Sequence, residues 1–412
     1  MTAELAAAMS KVEVEMDSMR REVATSRSET ATAKQRADRA LAGIGNFRLS
    51  GDVRVRYEQQ VQGAGFVTRH RERTRARLNL TGDVSERLSG GISIASGDLV
   101  DHQSSNQTQT NVFSRKTVGL DRFFIQYKPA GATGFAVIGG KFPYAWERTS
   151  LTMSNDINPE GIAPSFTWVR KGRLERVAVI GYMLPFWEVS SGDDSYAVGG
   201  QLQTRWRLTP KWSARASVGT MAFEGADAIA VGAAKGSVKP SAPSANALRR
   251  DSTNTVLGFA NNYHLDDVVL RADYSGFAGW PVTLEAHAVR NRFAPSGEGF
   301  AYRAGVSAGQ LREIKDLQFT WALFHIGREA VIGTLNEQDL RASTNAATHR
   351  FGASLRILPN AVFNAALWRG RLLDPRATTS LLPAGTRTTC VGGGACREPW
   401  LNRIQVDVAY TF

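Results

Sequence analysis

Seven arginines crowd two short stretches: Arg48, Arg54 and Arg56 in the first, and Arg71, Arg73, Arg75 and Arg77 in the second. Their spacing by twos puts them on one face of an extended chain, because successive side chains of a strand point to opposite sides. A ladder of fixed cations along a wall favours the admission of anions. The competing reading is a wall braced by ion pairs, for which Asp52, Glu58, Glu72 and Asp83 are at hand. Arg205, Arg207, Arg303, Arg350, Arg356 and Arg403 carry the same polar face into later segments. Other chemistry is sparse. Cys390 and Cys396 bracket VGGG with no histidine nearby, so in an oxidising compartment they are expected to form a disulfide that stabilises only a small local loop. The six histidines form no HExxH and no metal-ligand pairing, so no metal, cofactor or enzymatic activity is expected, although a Ser/His/acid set can meet in space.

Composition narrows the class. The 412 residues have a mean hydropathy of −0.25 and no apolar run near the ~20 residues of a membrane-spanning helix, which excludes a helical membrane bundle. The charge of +12 points to anions or acidic surfaces as partners, but no compact nucleic-acid-binding motif is present. Thirty-nine glycines against fourteen prolines suit a large β protein rich in turns.

Residues 1–45 differ from the rest. They are rich in helix formers, and small or apolar residues recur in steps of three and four at Met9, Val12, Met16, Met19 and Val23, continuing through Ser26 and Thr30 to Ile44. This heptad seam predicts a coiled-coil helix, which needs partner chains and leaves dimer or trimer open. The chain opens without a basic and apolar leader, which taken literally argues for cytoplasm. The remaining sequence argues otherwise, so the first residue is expected to be a mature or shortened N-terminus.

From residue 46 the period becomes two. Leu49, Val53, Val55 and Tyr57 alternate with charged neighbours, and the same alternation reaches Ile404, Val406, Val408, Tyr410 and Phe412 at the end. An arginine-rich polar face and aromatics near strand ends (Tyr57, Trp206, Trp212, Trp321, Trp368, Tyr410) favour a transmembrane antiparallel β-barrel over a soluble sandwich. Both termini on one side require an even strand number. Strands expected near 47, 71, 87, 116, 134, 161, 174, 195, 211, 267, 281, 299, 315, 347, 360 and 400 make sixteen. Eighteen would require a second strand within 223–265, which reads instead as a long outward loop able to narrow a lumen.

The terminal IQVDVAYTF, with Tyr410 and Phe412, resembles the C-terminal signature read by the outer-membrane barrel-insertion machinery. RHRERTRARLNLTGDVSERLSGGISIASGD, LDRFFIQYKP, GGKFPYAWE, NDINPEGIA and GWPVTLEAHAVRN resemble segments of a putative-porin family of Gram-negative bacteria. That resemblance spans most of residues 47–412. It implies an outer-membrane channel for small hydrophilic solutes, preceded by a periplasmic coiled coil, and it carries over no catalytic residues. The resulting expectation is a homo-oligomer, with a trimer favoured, surrounded by outer-membrane lipid and meeting peptidoglycan or periplasmic partners through its helix. A structural tether and a surface adhesin with a plugged barrel are the rival functions.

Overall fold

A computed structural model describes residues 46–63, 66–110, 112–190, 193–239, 243–377 and 398–412. The expected coiled-coil seam and the Cys390–Cys396 pair lie outside these residues. Sixteen antiparallel strands form one closed barrel: β1 (Phe47–Gln62), β2 (Arg69–Ser85), β3 (Leu88–Ser96), β4 (Val118–Tyr127), β5 (Phe135–Lys141), β6 (Glu160–Val169), β7 (Leu174–Trp187), β8 (Ser195–Arg207), β9 (Trp212–Glu224), β10 (Tyr263–Tyr274), β11 (Val282–Asn291), β12 (Phe300–Gly309), β13 (Leu317–Ile326), β14 (Ala346–Leu358), β15 (Ala361–Leu372) and β16 (Leu401–Thr411). Each pairs with its neighbour in the chain, and β16 closes on β1 with Val408 opposite Val55. The sixteen-strand count stands. The largest offset from expectation is at β10, expected near 267 and beginning at Tyr263. Within the long 225–262 loop, Leu248–Arg250 and Val256–Phe259 form a separate two-stranded hairpin outside the barrel, beside helix α1 (Asp227–Lys235).

The two-residue period decides which face is inside. On β1, Val53, Val55 and Tyr57 are exposed on the outer wall, while Asp52 and Glu58 are buried within. Connections alternate in length, so the barrel has a short-turn rim, with turns such as 86–87 and 359–360, and a long-loop rim.

The interior is not uniformly polar, which departs from the sequence-based picture. Ile180, Tyr182 and Leu184 of β7, with Met221 and Phe223 of β9, point inward and are buried. They are covered by loop 142–159, whose Trp146 ring stacks on Tyr182 at 4.3 Å between centroids. Trp368 also corrects an expectation: it faces inward, is 6% exposed, and its indole N–H donates to Gln405 Oε1 at 3.1 Å. Aromatics that do stand on the outer wall include Tyr57, Trp206, Trp212 and Tyr410.

The chain end seals the barrel. Gly51 N–H donates to the Phe412 carbonyl at 3.0 Å, and Phe412 N–H donates to the Gly51 carbonyl at 3.1 Å. A Cβ at residue 51 would meet the Arg77 carbonyl oxygen and the Phe412 ring, each at 2.5 Å, so only glycine lets the last ring lie over the first strand. Gly51→Val is therefore expected to destabilise the barrel by about 1–3 kcal/mol, the usual cost of overpacking. Urea unfolding in micelles reads this, and unchanged stability would show that the seal contributes little.

Candidate functional site

Three loops from the long-loop rim fold into the barrel and are hydrogen-bonded to one another. Ser154 N–H donates to the Leu335 carbonyl at 2.7 Å, and Glu337 N–H donates to the Ser150 carbonyl at 3.1 Å, joining loop 142–159 to loop 327–345. The Gln103 amide donates to the Gly333 and Asn336 carbonyls at 3.2 and 3.1 Å, adding the 97–106 segment. Loop 327–345 is almost wholly buried, with Leu340, Ala342 and Ser343 at 0% exposure. It is this loop, rather than 225–262, that meets the charged wall, where its Asp339 reaches Arg56 and Arg403. The longer loop packs on it: the Asn246 amide donates to the Arg328 and Val331 carbonyls at 2.8 and 2.9 Å.

Opposite these loops stand the arginines, positioned by register. Across β1 and β2, Asp52 faces Arg77, Arg54 faces Arg75, Arg56 faces Arg73, and Glu58 faces Arg71. Opposite charges in such cross-strand positions stabilise the pairing. Asp52 takes Arg75 and Arg77, both at 2.6 Å. Glu58, fully buried, pairs with Arg71 and lies 3.9 Å from Arg73 and 3.8 Å from Arg403. Arg56 reaches Asp407 at 2.8 Å and Asp339 of the deep loop at 3.6 Å, and Arg403 reaches Asp339 at 2.8 Å. Bracing is thus extensive; of the acids singled out by sequence Asp52 and Glu58 contribute to it, and neither Glu72 nor Asp83 takes part in an ion pair among the described residues.

Between wall and loops lies a cavity of about 320 Å³ lined by Arg54, Arg56, Arg75, Arg303 and Arg350 on the barrel and by Asp156, Glu337 and Asp339 on the loops. The two charge sets face each other, five against three. Arg303 pairs with Glu285. Arg54 and Arg350 reach no carboxylate among the described residues; Arg54 donates to Asn106 Oδ1 at 2.5 Å and Arg350 to Thr320 Oγ1 at 2.8 Å. Carboxylates act on them only at longer range, Asp407 and Asp156 on Arg54 and Glu337 and Asp339 on Arg350, with none in ion-pair contact. Beneath them, the Arg350 and Arg303 guanidinium groups lie 5.4 Å from the Trp368 and Phe324 ring centroids respectively, so aromatic faces hold them in place.

The other arginines singled out by sequence are elsewhere. Arg71, Arg73 and Arg403 are buried in the Glu58 cluster. Arg48 is exposed near the short-turn rim, where Arg205 and Arg207 share Glu175 and Arg356 donates to the Leu311 carbonyl at 2.8 Å. Sequence reasoning missed Asp156, Glu337 and Asp339, because their approach to the wall depends on loop paths that no periodicity encodes. The only available signal was two acids, spaced by one residue, in a segment without strand alternation.

A Thr–His–Asp relay also forms inside the barrel. Thr149 Oγ1 lies 2.7 Å from His287 Nδ1, and His287 Nε2 lies 3.2 Å from Asp267 Oδ2. Thr149 also accepts the Leu151 N–H at 3.2 Å, and His287 is 1% exposed, so the relay acts as a strut holding loop 142–159 to β10 and β11. A nucleophile would need access to substrate, which burial denies here.

Burial, aggravated by Asp339, pushes the Glu337 carboxyl up to about 7. Burial alone would raise Asp339 too, but Arg403 and Arg56 outweigh it and hold that carboxyl at about 2. The pair therefore shares its charge unequally: the arginines keep Asp339 anionic, and Glu337 holds its proton further toward neutral pH than an ordinary carboxyl does.

Residues 67–238 match the family model described as putative porin, a span that contains four of the five internal segments resembling that family. Among solved structures, the chain is similar to OprB of Pseudomonas putida, with 11% identity, 91% of this chain and 96% of that chain covered, and a TM-score of 0.55. It is also similar to OmpF of Salmonella typhi in complex with daunomycin, at 11% identity, 89% and 98% coverage and a TM-score of 0.52. An anion-selective porin from Comamonas acidovorans gives 12% identity, 89% and 99% coverage and a TM-score of 0.51. At these identities the likeness is one of fold. No protein of curated function matches the sequence.

Asp339→Asn is expected to free loop 327–345 by leaving Arg56 and Arg403 short of a partner, at a cost of about 1–3 kcal/mol in loop anchoring. Faster amide hydrogen exchange confined to that loop would be the readout, and unchanged exchange would show that its neutral hydrogen bonds suffice.

Proposed function

We propose that this chain is a channel-forming outer-membrane porin that passes small hydrophilic solutes by diffusion and prefers anions. The family match over residues 67–238 and the sixteen-stranded porin fold support the channel and its membrane. The anion preference rests on one observation: the cavity between wall and loops is lined by five arginines and three carboxylates, and two of those arginines make no ion pair among the described residues. An anion there meets charge that the wall has not already neutralised, in a setting where low-dielectric walls concentrate the field. The porin from Comamonas acidovorans that shares the fold is anion-selective; for this chain the support is Arg54 and Arg350 themselves. The channel reading makes the protein a conduit rather than a catalyst.

The heptad seam from Met9 to Ile44 needs partner chains, so we infer a homo-oligomer, with a trimer favoured over a dimer, whose N-terminal helices coil in the periplasm within reach of peptidoglycan. A disulfide between Cys390 and Cys396 is part of the same reading, since the long-loop rim faces the oxidising outside.

Planar-bilayer recording tests the channel. The expected result is discrete conductance steps whose reversal potential in a salt gradient shows anion preference, and silence from correctly folded barrels would favour a tether or adhesin. Arg54→Glu with Arg350→Glu is expected to turn the preference toward cations, a swing of four charges in the lining of that cavity. Anion preference is also expected to rise as pH falls from 8 to 6, because protonating Glu337 removes a negative charge from the cavity. Glu337→Gln should abolish that dependence; a profile that persists in the variant would assign the titration to another group.

A further inference from the structure

The outer wall carries a second arginine cluster that the channel does not use. Arg369 and Arg371 of β15 share the outward face with Phe363, Ala365 and Leu367, at the long-loop end of the strand. Their guanidinium carbons lie 5.2 and 4.8 Å from the centroid of the Trp400 ring, which holds both side chains against the rim. Neither pairs with a carboxylate nor donates a side-chain hydrogen bond among the described residues. His349 adjoins them, directly across from Arg369 in register and 6.2 Å from Trp400 between ring centroids. The outward positions of β13, β14, β15 and β16 include no aspartate or glutamate.

At another point on the same rim a cation is neutralised: Arg292 meets both carboxylate oxygens of Asp266, at 2.6 and 2.7 Å. Arg369 and Arg371 differ in being two adjacent outward cations stacked on one ring with no acid on the outward face of the strands beside them. Charged side chains on a membrane-facing wall are costly away from the interface, so an unpaired pair held there calls for a partner.

Directly toward the barrel's middle from these arginines, the wall is indented. A groove of about 470 Å³ is lined by Phe319, Phe351, Ala353, Ala365, Leu367 and Ile404. Register places Leu367 against Phe351 one pleat below the His349–Arg369 pair, with Ala365 against Ala353 one pleat further. Alanines facing each other between phenylalanines leave the depression. A pair of cations at the headgroup level above an apolar trough is complementary to a lipid with an anionic head and acyl chains, rather than to a soluble ion.

We propose that the outer wall of β13–β16 is a docking site for a phosphorylated, multiply acylated glycolipid of the outer leaflet, with phosphate on Arg369 and Arg371 and an acyl chain in the groove. The assignment rests on the outer-membrane reading, because that places the long-loop rim in the outer leaflet. Arginine suits the task, since its planar fork meets phosphate oxygens two at a time.

The test uses the full chain folded in detergent micelles, incubated with bis-phosphorylated lipid A or its dephosphorylated form, with bound lipid counted by native mass spectrometry. Wild type is expected to retain the phosphorylated lipid about tenfold better. Arg369→Gln with Arg371→Gln should erase that preference, and Ala365→Trp, which fills the groove, should lower retention of both lipids. Equal retention of the two lipids by wild type, or undiminished preference in the double variant, would overturn the proposal. So would an Ala365→Trp protein that dissociates into single chains while retaining lipid as before, which would assign the groove to a second copy of this chain. Conductance of the same preparations separates the two readings: a silent barrel that still prefers the phosphorylated lipid supports the docking site while removing the channel.

Discussion

In a hydrocarbon surrounding, an unpaired backbone N–H or carbonyl costs several kcal/mol, so a sheet can cross a bilayer only if it has no edge. The pairing of β16 with β1 satisfies that requirement, and much else in this fold follows from it. Closure with sixteen strands makes a cylinder too wide for side chains alone to fill. What fills it is loop: three segments enter from one rim, and hydrogen bonds among them, backbone to backbone between two and through the Gln103 side chain to the third, replace those that water or a sheet would have supplied. The wall then divides its labour by sector. Beneath loop 142–159 the inner face is apolar and packed around Trp146 and Tyr182, whereas the β1, β2 and β16 sector is ionic.

Within that ionic sector most charge is spent on holding the structure. Asp52 and Glu58 each face more than one arginine, and Asp339 ties the deep loop to Arg403 and Arg56. Such pairs are weak evidence of stability when water reaches them. Their effect here is positional: they fix how far loop 327–345 stands from the wall. The functional residue of this arithmetic is what remains unneutralised, namely Arg54 and Arg350. A sequence full of arginines therefore overstates the charge that a solute would meet.

How much could be read in advance follows from which interactions have a period. Strand number, wall faces and the closing role of the last segment are written in a two-residue alternation that each strand carries by itself, so Val53, Val55 and Tyr57 announce an outer wall without knowledge of their neighbours. Trp368 breaks the rule that strand-end aromatics face outward, because its indole found Gln405 inside. Ile180 and Tyr182 break the rule that the second face is polar, because a loop covers them, and that coverage is set by a contact between segments far apart in the chain. Asp156, Glu337 and Asp339 were invisible for the same reason. The arginine side of the cavity was legible; its opposite side was a matter of loop path.

The seal between Gly51 and Phe412 joins the beginning of the barrel to the last residue of the chain. Without that pairing β1 and β16 would each present a long unpaired edge able to recruit strands from other molecules. The contact that closes the cylinder is therefore also what keeps one barrel from joining another edge to edge.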